Sequence, residues 1–199
     1  MLETQNKISI EFPITLRLYV NNEQFAELAR VNRDLRLEKT ALGELIVNPP
    51  TGGESGRRNF SLTGQLSRWH EQYENLGEAF DSSTGFILPN GAIRSPDAAW
   101  VSRERWETLT SKQKTGFVPL CPDFIVELRS PSDSLTDLRA KMQEYLENGM
   151  ILGWLIDPQN KQVEIYRTGK EIEIIKSPTE LSGEDVLPDF MVNLNRIWG

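Results

Sequence analysis

Glu127 stands inside the run FIVEL (124–128), in which every other side chain is apolar. A short apolar run of this kind is typical of a central strand that is covered on both faces. An ionised carboxylate in such a strand costs free energy unless a cation or several hydrogen-bond donors meet it. Asp97 is a second carboxylate, and it precedes the apolar run AAWV (98–101). Two carboxylates with a strand carbonyl, here that of Leu128, suit a hard divalent ion such as Mg²⁺.

Two basic side chains could serve this acid pair. Because side chains alternate along a strand, Arg129 is predicted to share one face with Glu127. Lys141 borders the apolar stripe of a predicted helix, where a lysine adds little to the core, and its ammonium could reach Glu127 or extend into water. Two acids, a metal ion and a lysine form a site suited to phosphodiester hydrolysis. In such a site the metal polarises the phosphate and acidifies its water, while the lysine orients that water or stabilises charge.

The same residues also permit a purely structural interpretation. Asp97 could cap the turn formed by Ser95, Pro96 and Asp97, and Glu127 could form a buried ion pair with Arg129. Residue types and spacing leave both interpretations open.

The elements around these residues are predicted to form a crossover unit. Positions 123–129 are predicted as an interior strand, which is followed by a helix from about Ser134 to Asn148 and a second strand at 151–156. The helix has an apolar stripe made of Leu135, Leu138, Met142, Tyr145 and Leu146. Asp97 is expected on a neighbouring strand. Since a helical crossover joins parallel strands, we predict a mixed β-sheet flanked by helices, in the α/β or α+β class.

The remaining chain is predicted to continue this pattern without a linker. A hairpin is expected at 162–176, and the first half is expected to hold a short helix that Asn22 caps, strand-like runs at 35–39 and 44–48, a loop at 48–56, a helix at 57–73 and strands within 86–101. We therefore expect a single domain over residues 1–199.

Composition excludes several classes of protein. The 199 residues carry a net charge of −7, which argues against a protein that coats nucleic acid non-specifically. One cysteine and one histidine cannot fill a tetrahedral zinc site, and the chain has no nucleotide-binding glycine loop or GxSxG nucleophile motif. The polar N-terminus and the lack of a long apolar run predict a soluble, cytoplasmic protein with no membrane partner.

Several motifs in fixed order resemble those of one family. The segments SPDAAWV (95–101) and CPDFIVELRSPSDSLTDLRAKMQEYLENGMILGWLIDP (121–158), together with GELIVNPPTGGESG (43–56) and VLPDFMVNL (186–194), resemble the Uma-two family of predicted endonucleases. That family is grouped with the PD-(D/E)XK nucleases, so the resemblance implies a restriction-endonuclease-like core. It also implies that Asp97, Glu127 and the carbonyl of Leu128 bind Mg²⁺ or Mn²⁺.

The superfamily pattern E-x-K is altered here, because Arg129 stands where lysine is expected. Arginine presents a wide, permanently charged fork where lysine presents a compact charge. Some families of the superfamily carry the lysine on the neighbouring helix, and the resemblance places Lys141 in that role. Arg129 then becomes a phosphate or ion-pair contact. Glu44 is the candidate for an additional acid from the first half of the chain.

These observations predict a Mg²⁺-dependent endonuclease that acts on nucleic acid, and on DNA in particular. Its surface would carry a basic rim formed by Arg57, Arg58, Arg94, Lys112 and Lys114. An alternative is a catalytically inactive nuclease fold that serves as a protein-interaction or nucleic-acid-binding module. We also expect a homodimer, and a third hypothesis makes such a dimer purely structural, with an interface formed by Trp100, Trp106 and Trp154.

Overall fold

The computed structural model describes residues 17–199, and within that range the chain forms helices and mostly short strands. The helices are α1 (Asn22–Val31), α2 (Gly53–Gln72), α3 (Arg103–Glu107), α4 (Ser111–Thr115), α5 (Leu135–Glu147) and α6 (Asn195–Trp198), with a 3₁₀ turn at Glu74–Leu76. The strands are β1 (Arg36–Lys39), β2 (Leu45–Asn48), β3 (Gly77–Asp81), β4 (Phe86–Ile87), β5 (Ile93–Arg94), β6 (Ala98–Ser102), β7 (Phe124–Leu128), β8 (Leu152–Asp157), β9 (Gln162–Arg167), β10 (Glu173–Lys176), β11 (Glu180–Ser182) and β12 (Met191–Asn193). None of the described helices is long and apolar enough to cross a membrane.

The main sheet has the strand order β10-β9-β8-β7-β6-β3. Strands β7 and β8 are parallel, and the other neighbouring pairs are antiparallel. Helix α5 connects the parallel pair, so the predicted crossover unit is present. Ser134 caps α5 by accepting a hydrogen bond from the amide of Asp137, and Gly149 follows the helix with a φ of +106°, a conformation that favours glycine. The predicted mixed α/β fold class is confirmed.

A second, smaller sheet lies beside the first and has the order β2-β1-β5-β4. Strand β1 pairs with β2 in antiparallel register, so that Arg36 lies opposite Asn48 and Glu38 opposite Ile46. Because side chains alternate along a strand, Arg36 and Glu38 share one face of β1. Helix α1 covers this part of the molecule through the buried side chain of Phe25.

The core lies on both faces of the main sheet. Trp69, Trp100, Phe124 and Trp154 belong to one buried cluster, and Ile125, Met142 and Tyr145 belong to another. Trp100 and Trp154 are therefore core residues, and the hypothesis that they form an interface between subunits is wrong. Trp106 is partly buried and packs against Phe80, with 5.4 Å between ring centroids.

Helix α2 and strand β3 are among the elements that differ from the sequence-based expectation. Helix α2 begins at Gly53, so part of the predicted loop 48–56 is its first turn, with Gly52 as a cap that offers no side-chain hydrogen bond. Strand β3 was not expected, because GEAFD (77–81) lacks a clear apolar alternation. It forms by pairing with β6, and Gly77 is required there since a Cβ atom would collide with the carbonyl of Val101 and the ring of Trp100.

Candidate active site

A cavity of about 620 Å³ opens where the two sheets meet. Its wall is formed by β1, the start of α2, the end of β7 and the loop after it, and one side of α5. The charged side chains that line it are Arg36, Glu38, Glu54, Asp97, Glu127, Asp133 and Lys141. Glu127 and Glu38 are almost completely buried, with 4% and 3% of their surface exposed.

Asp97 and Glu127 face each other across two antiparallel strands. Ala98 of β6 lies opposite Val126 of β7, and one further step of this register brings Asp97 opposite Glu127. The amide of Leu128 donates a hydrogen bond of 2.8 Å to Asp97 Oδ2, which fixes that carboxylate at the end of β7. Sheet pairing therefore brings together two acids that are separated by 30 positions in the chain.

Lys141 completes the group from helix α5. Its Nζ atom lies 2.8 Å from Glu127 Oε1 and 2.9 Å from Glu38 Oε1, and 14% of its side chain is exposed. Burial alone would lower the pKa of Lys141, but the carboxylates of Glu127 and Glu38 outweigh burial and raise the pKa above its ordinary value. Lys141 is therefore an ammonium at neutral pH.

The buried carboxyl groups differ in proton affinity. Burial raises the pKa of Glu127 to about 7; Lys141 opposes this shift, while Asp97 and Glu38 add to it. Burial also raises the pKa of Asp97, although the Leu128 amide and Lys141 partly offset it. For Glu38, the attraction of Lys141 and Arg94 outweighs burial, so its pKa is lowered. The pair Asp97 and Glu127 is thus short of positive charge, which a divalent cation would supply.

Sequence reasoning missed two residues of this cluster. Glu38 is held by Lys141, by Arg94 at 3.3 Å and by the amide of Ser95 at 3.2 Å. Nothing in the segment LRLEK (35–39) distinguishes Glu38 from a solvated strand residue, because its partners are distant in sequence. The Tyr145 hydroxyl donates a hydrogen bond of 2.9 Å to Glu127 Oε1, and its position four residues after Lys141 was the available signal.

Arg129 does not join the cluster. Strand β7 ends at Leu128, and the Arg129 guanidinium contacts Asp157 Oδ2 at 2.9 Å, at the end of β8. The alternative of an ion pair between Glu127 and Arg129 is therefore wrong, since Lys141 pairs with Glu127 instead. The ion-pair contact of Arg129 is made with Asp157, and Arg129 does not line the cavity.

Arg94 of the predicted basic rim and Glu44, the predicted additional acid, do not occupy their predicted places. Arg94 is buried, and it contacts Glu144 at 2.6 Å as well as Glu38, so it cannot belong to a surface rim. Other rim candidates are paired with acids: Arg57 with Glu54 at 2.9 Å, Arg58 with Glu54 at 3.6 Å and Lys114 with Glu107 at 3.3 Å. Glu44 does not line the cavity and pairs with Arg17 at 3.2 Å.

Comparison with known proteins identifies the family to which this chain belongs. The profile of the Uma2 family, described as "Putative restriction endonuclease", matches residues 22–195. The chain belongs to the Uma2 family. The Uma2 match includes Glu38, Asp97, Glu127 and Lys141, and it confirms the resemblance inferred from the sequence motifs.

One solved structure shows the same fold. It is the crystal structure of "a putative nuclease belonging to DUF820" from Anabaena variabilis, with a TM-score of 0.68 and 19% sequence identity. The alignment covers 81% of this chain and 89% of that chain. No curated protein matches the sequence. The Uma2 chain therefore has a nuclease fold and belongs to a family described as nucleases.

The donor set of this Uma2 site fits a hard divalent ion. Across residues 17–199, no three His, Cys, Asp or Glu side chains converge on a common metal position. Mg²⁺ retains several water ligands and is commonly bound by one or two carboxylates, so Asp97 and Glu127 are sufficient side-chain ligands. The Tyr145 hydroxyl and the Lys141 ammonium both contact Oε1 of Glu127, which leaves Oε2 as an atom that can bind the ion.

Proposed function

We propose that the protein is a Mg²⁺-dependent endonuclease that hydrolyses phosphodiester bonds of nucleic acid, with DNA as its substrate. The observation that carries this proposal is the convergence of Asp97, Glu127 and Lys141 on one cavity, from three different elements. Membership of a nuclease family supports hydrolase chemistry. The cavity volume lies within the usual range for ligand sites.

In this proposal Asp97, Glu127 and the carbonyl of Leu128 hold Mg²⁺ or Mn²⁺. A bound ion of this type polarises the phosphate and lowers the pKa of a coordinated water. The hydrogen bond from the Leu128 amide fixes the orientation of Asp97. The Tyr145 hydroxyl and Lys141 hold Glu127 Oε1 in the same way, so both acids are positioned before substrate binds.

Lys141 acts as a cation rather than as a base. Because its pKa is raised, it carries no free electron pair with which to remove a proton from water. Its ammonium instead orients the attacking water and stabilises negative charge that develops on the phosphate. Arg129 takes no part in these steps, since Asp157 engages its guanidinium.

Plasmid nicking tests the proposal. Supercoiled DNA and a single-stranded RNA are incubated with the protein in Mg²⁺, Mn²⁺ or EDTA. We expect DNA cleavage that requires the metal, is lost in Asp97→Asn, and is retained in the matched control Asp185→Asn, since Asp185 is exposed and away from the cavity. Equal cleavage by Asp97→Asn and the control would contradict the assignment of the site.

Metal binding is measured separately by thermal melting. Mn²⁺ is expected to raise the melting temperature of the wild type by several degrees, because it relieves the repulsion between Asp97 and Glu127. Asp97→Asn should remove this increment and Asp185→Asn should keep it. An equal increment in both variants would place the ion elsewhere.

The inactive-module hypothesis has one observation in its favour. The predicted basic rim offers less positive charge than expected, because Arg94 is buried and Arg57 and Lys114 are paired with acids, although Lys112 is exposed. If the wild type bound nucleic acid but cut neither DNA nor RNA with any divalent metal, this second function would replace the first. We also propose a cytoplasmic location and a homodimer. Sedimentation at assay concentrations measures the oligomeric state.

A further inference from the structure

Arg36 differs from three other arginines near the main sheet. Arg94, Arg129 and Arg139 each contact a carboxylate at 2.9 Å or less. The Arg36 side chain makes no hydrogen bond to any residue in 17–199, and its Nε atom is buried without a partner. Leaving a buried donor unpaired costs free energy, so an unpaired donor in a folded protein indicates that a bound molecule supplies the missing partner.

The place of Arg36 in the fold indicates what that occupant is. Arg36 shares the cavity-facing side of β1 with Glu38, and its side chain is 38% exposed. Its Nη2 atom is 3.7 Å from Asp97 Oδ1, which is beyond hydrogen-bonding distance. The guanidinium therefore makes only a long ion pair with Asp97, which no hydrogen bond reinforces.

A second unpaired polar atom lies in the wall of the same cavity. Asn59 of α2 lines the cavity, and its side-chain oxygen is buried with no hydrogen-bond partner in the described chain. Polar atoms without partners beside the cavity suit a polar occupant and its bound water better than an apolar one. Water would donate to the Asn59 oxygen, because a phosphate oxygen has no hydrogen to donate. Arg58 also has a buried, unpaired Nε atom, but it does not line the cavity.

We propose that Arg36 is a substrate-binding residue whose guanidinium fork holds a phosphate of the nucleic acid beside Asp97 and Glu127. The fork presents parallel N–H donors that match two phosphate oxygens, a geometry that lysine cannot reproduce. A phosphate held there lies next to Asp97, where the proposed metal ion binds. This inference rests on the proposed function and adds the residue that places the substrate.

The test measures binding separately from cleavage. Full-length protein is titrated against a fluorescently labelled DNA duplex in Ca²⁺, by anisotropy, over a series of KCl concentrations. Wild type is compared with Arg36→Gln, Arg36→Lys and the control Arg30→Gln, since Arg30 is exposed and pairs with Glu27 on α1. We expect Arg36→Gln to weaken binding about tenfold and to reduce the salt slope by about one. Arg36→Lys should keep the slope and bind less tightly, and Arg30→Gln should match the wild type.

Three results for Arg36→Gln and the wild type would overturn the inference. One is an equal salt slope in Arg36→Gln and wild type, and another is a wild type that does not bind the duplex. The third is loss of the Mn²⁺ melting increment in Arg36→Gln without DNA, which would mean that Arg36 serves the metal site through Asp97. If Arg36→Gln does not fold, a KM for Arg36→Lys equal to that of the wild type would also overturn it.

The same duplex in Mg²⁺ distinguishes this inference from the proposed function. Cleavage by the wild type with unchanged binding by Arg36→Gln would leave the nuclease proposal standing and remove the role of Arg36. Arg36-dependent binding without cleavage would remove the nuclease proposal and keep Arg36 as a phosphate contact.

Discussion

Lys141 stands between two buried carboxylates, and this position determines what its removal does. The sequence pattern places Lys141 at the edge of the apolar stripe and predicts little effect on folding, whereas the structure buries its ammonium against Glu127 and Glu38. Removing one partner from a buried ion pair leaves uncompensated charge. The residue is therefore important for stability as well as for the proposed chemistry.

Lys141→Ala is expected to abolish metal-dependent cleavage and to lower the free energy of unfolding by about 3 kcal/mol at neutral pH. Urea unfolding and plasmid nicking measure the two effects. Lys170→Ala is the control, since Lys170 is exposed at a hairpin turn. Cleavage at the wild-type rate by Lys141→Ala would refute the catalytic role, and unchanged stability would refute the burial argument.

Glu127 gives a prediction about pH. Burial is the main cause that raises its pKa from 4.5 to about 7, so the folded protein binds this proton more tightly than the unfolded chain. The stabilising contribution of a raised carboxyl pKa is present at low pH and is lost as the pH rises from 4.5 towards 7. In EDTA, the free energy of unfolding of wild type should fall over that range relative to Glu127→Gln. The free energy of unfolding is measured in urea at each pH. An equal dependence on pH in the two proteins would contradict the prediction.

At the scale of elements, Arg129 joins the ends of two parallel strands. Its guanidinium contacts Asp157 Oδ2 at 2.9 Å and also reaches the carbonyl of Asp133. Arg129→Ala is expected to retain metal-dependent cleavage and to lose about 3 kcal/mol of stability, because the buried Asp157 carboxylate is left without its cation. Nicking assays and urea unfolding at neutral pH test this together. If Arg129→Ala is still folded at the assay temperature but no longer cleaves, Arg129 has a role in the proposed active site.

Elements with local signals could be predicted from the sequence. The apolar run of β7, the cap at Ser134 and the stripe of α5 are all readable from neighbouring residues, and the structure has them within one or two positions. Strand β3 and the role of Glu38 depend on pairing between distant segments, which single-sequence patterns do not report. The Arg129–Asp157 ion pair also joins distant positions, and no pattern in the neighbouring residues indicates it.

For the whole molecule, a single domain over residues 1–199 stays a prediction. The two buried clusters lie on opposite faces of one sheet, and the Glu38–Lys141 ion pair ties the second sheet to α5. We therefore expect one cooperative unfolding transition in urea, with the same midpoint by tryptophan fluorescence and by far-UV circular dichroism. Two separate midpoints would show that the sheets unfold independently.

The order of the site residues along the chain affects when the site can form during synthesis. Asp97, Glu127 and Lys141 leave the ribosome in that order, and the Glu38–Lys141 contact closes a loop of 103 residues. Before α5 has been synthesised, pairing of β6 with β7 would bury two carboxylates with no ammonium nearby, which is unfavourable. We therefore expect docking of α5 and closure of the acid pair to be coupled steps of folding. A nascent or truncated chain that ends before Lys141 therefore lacks the cation that the proposed cleavage requires.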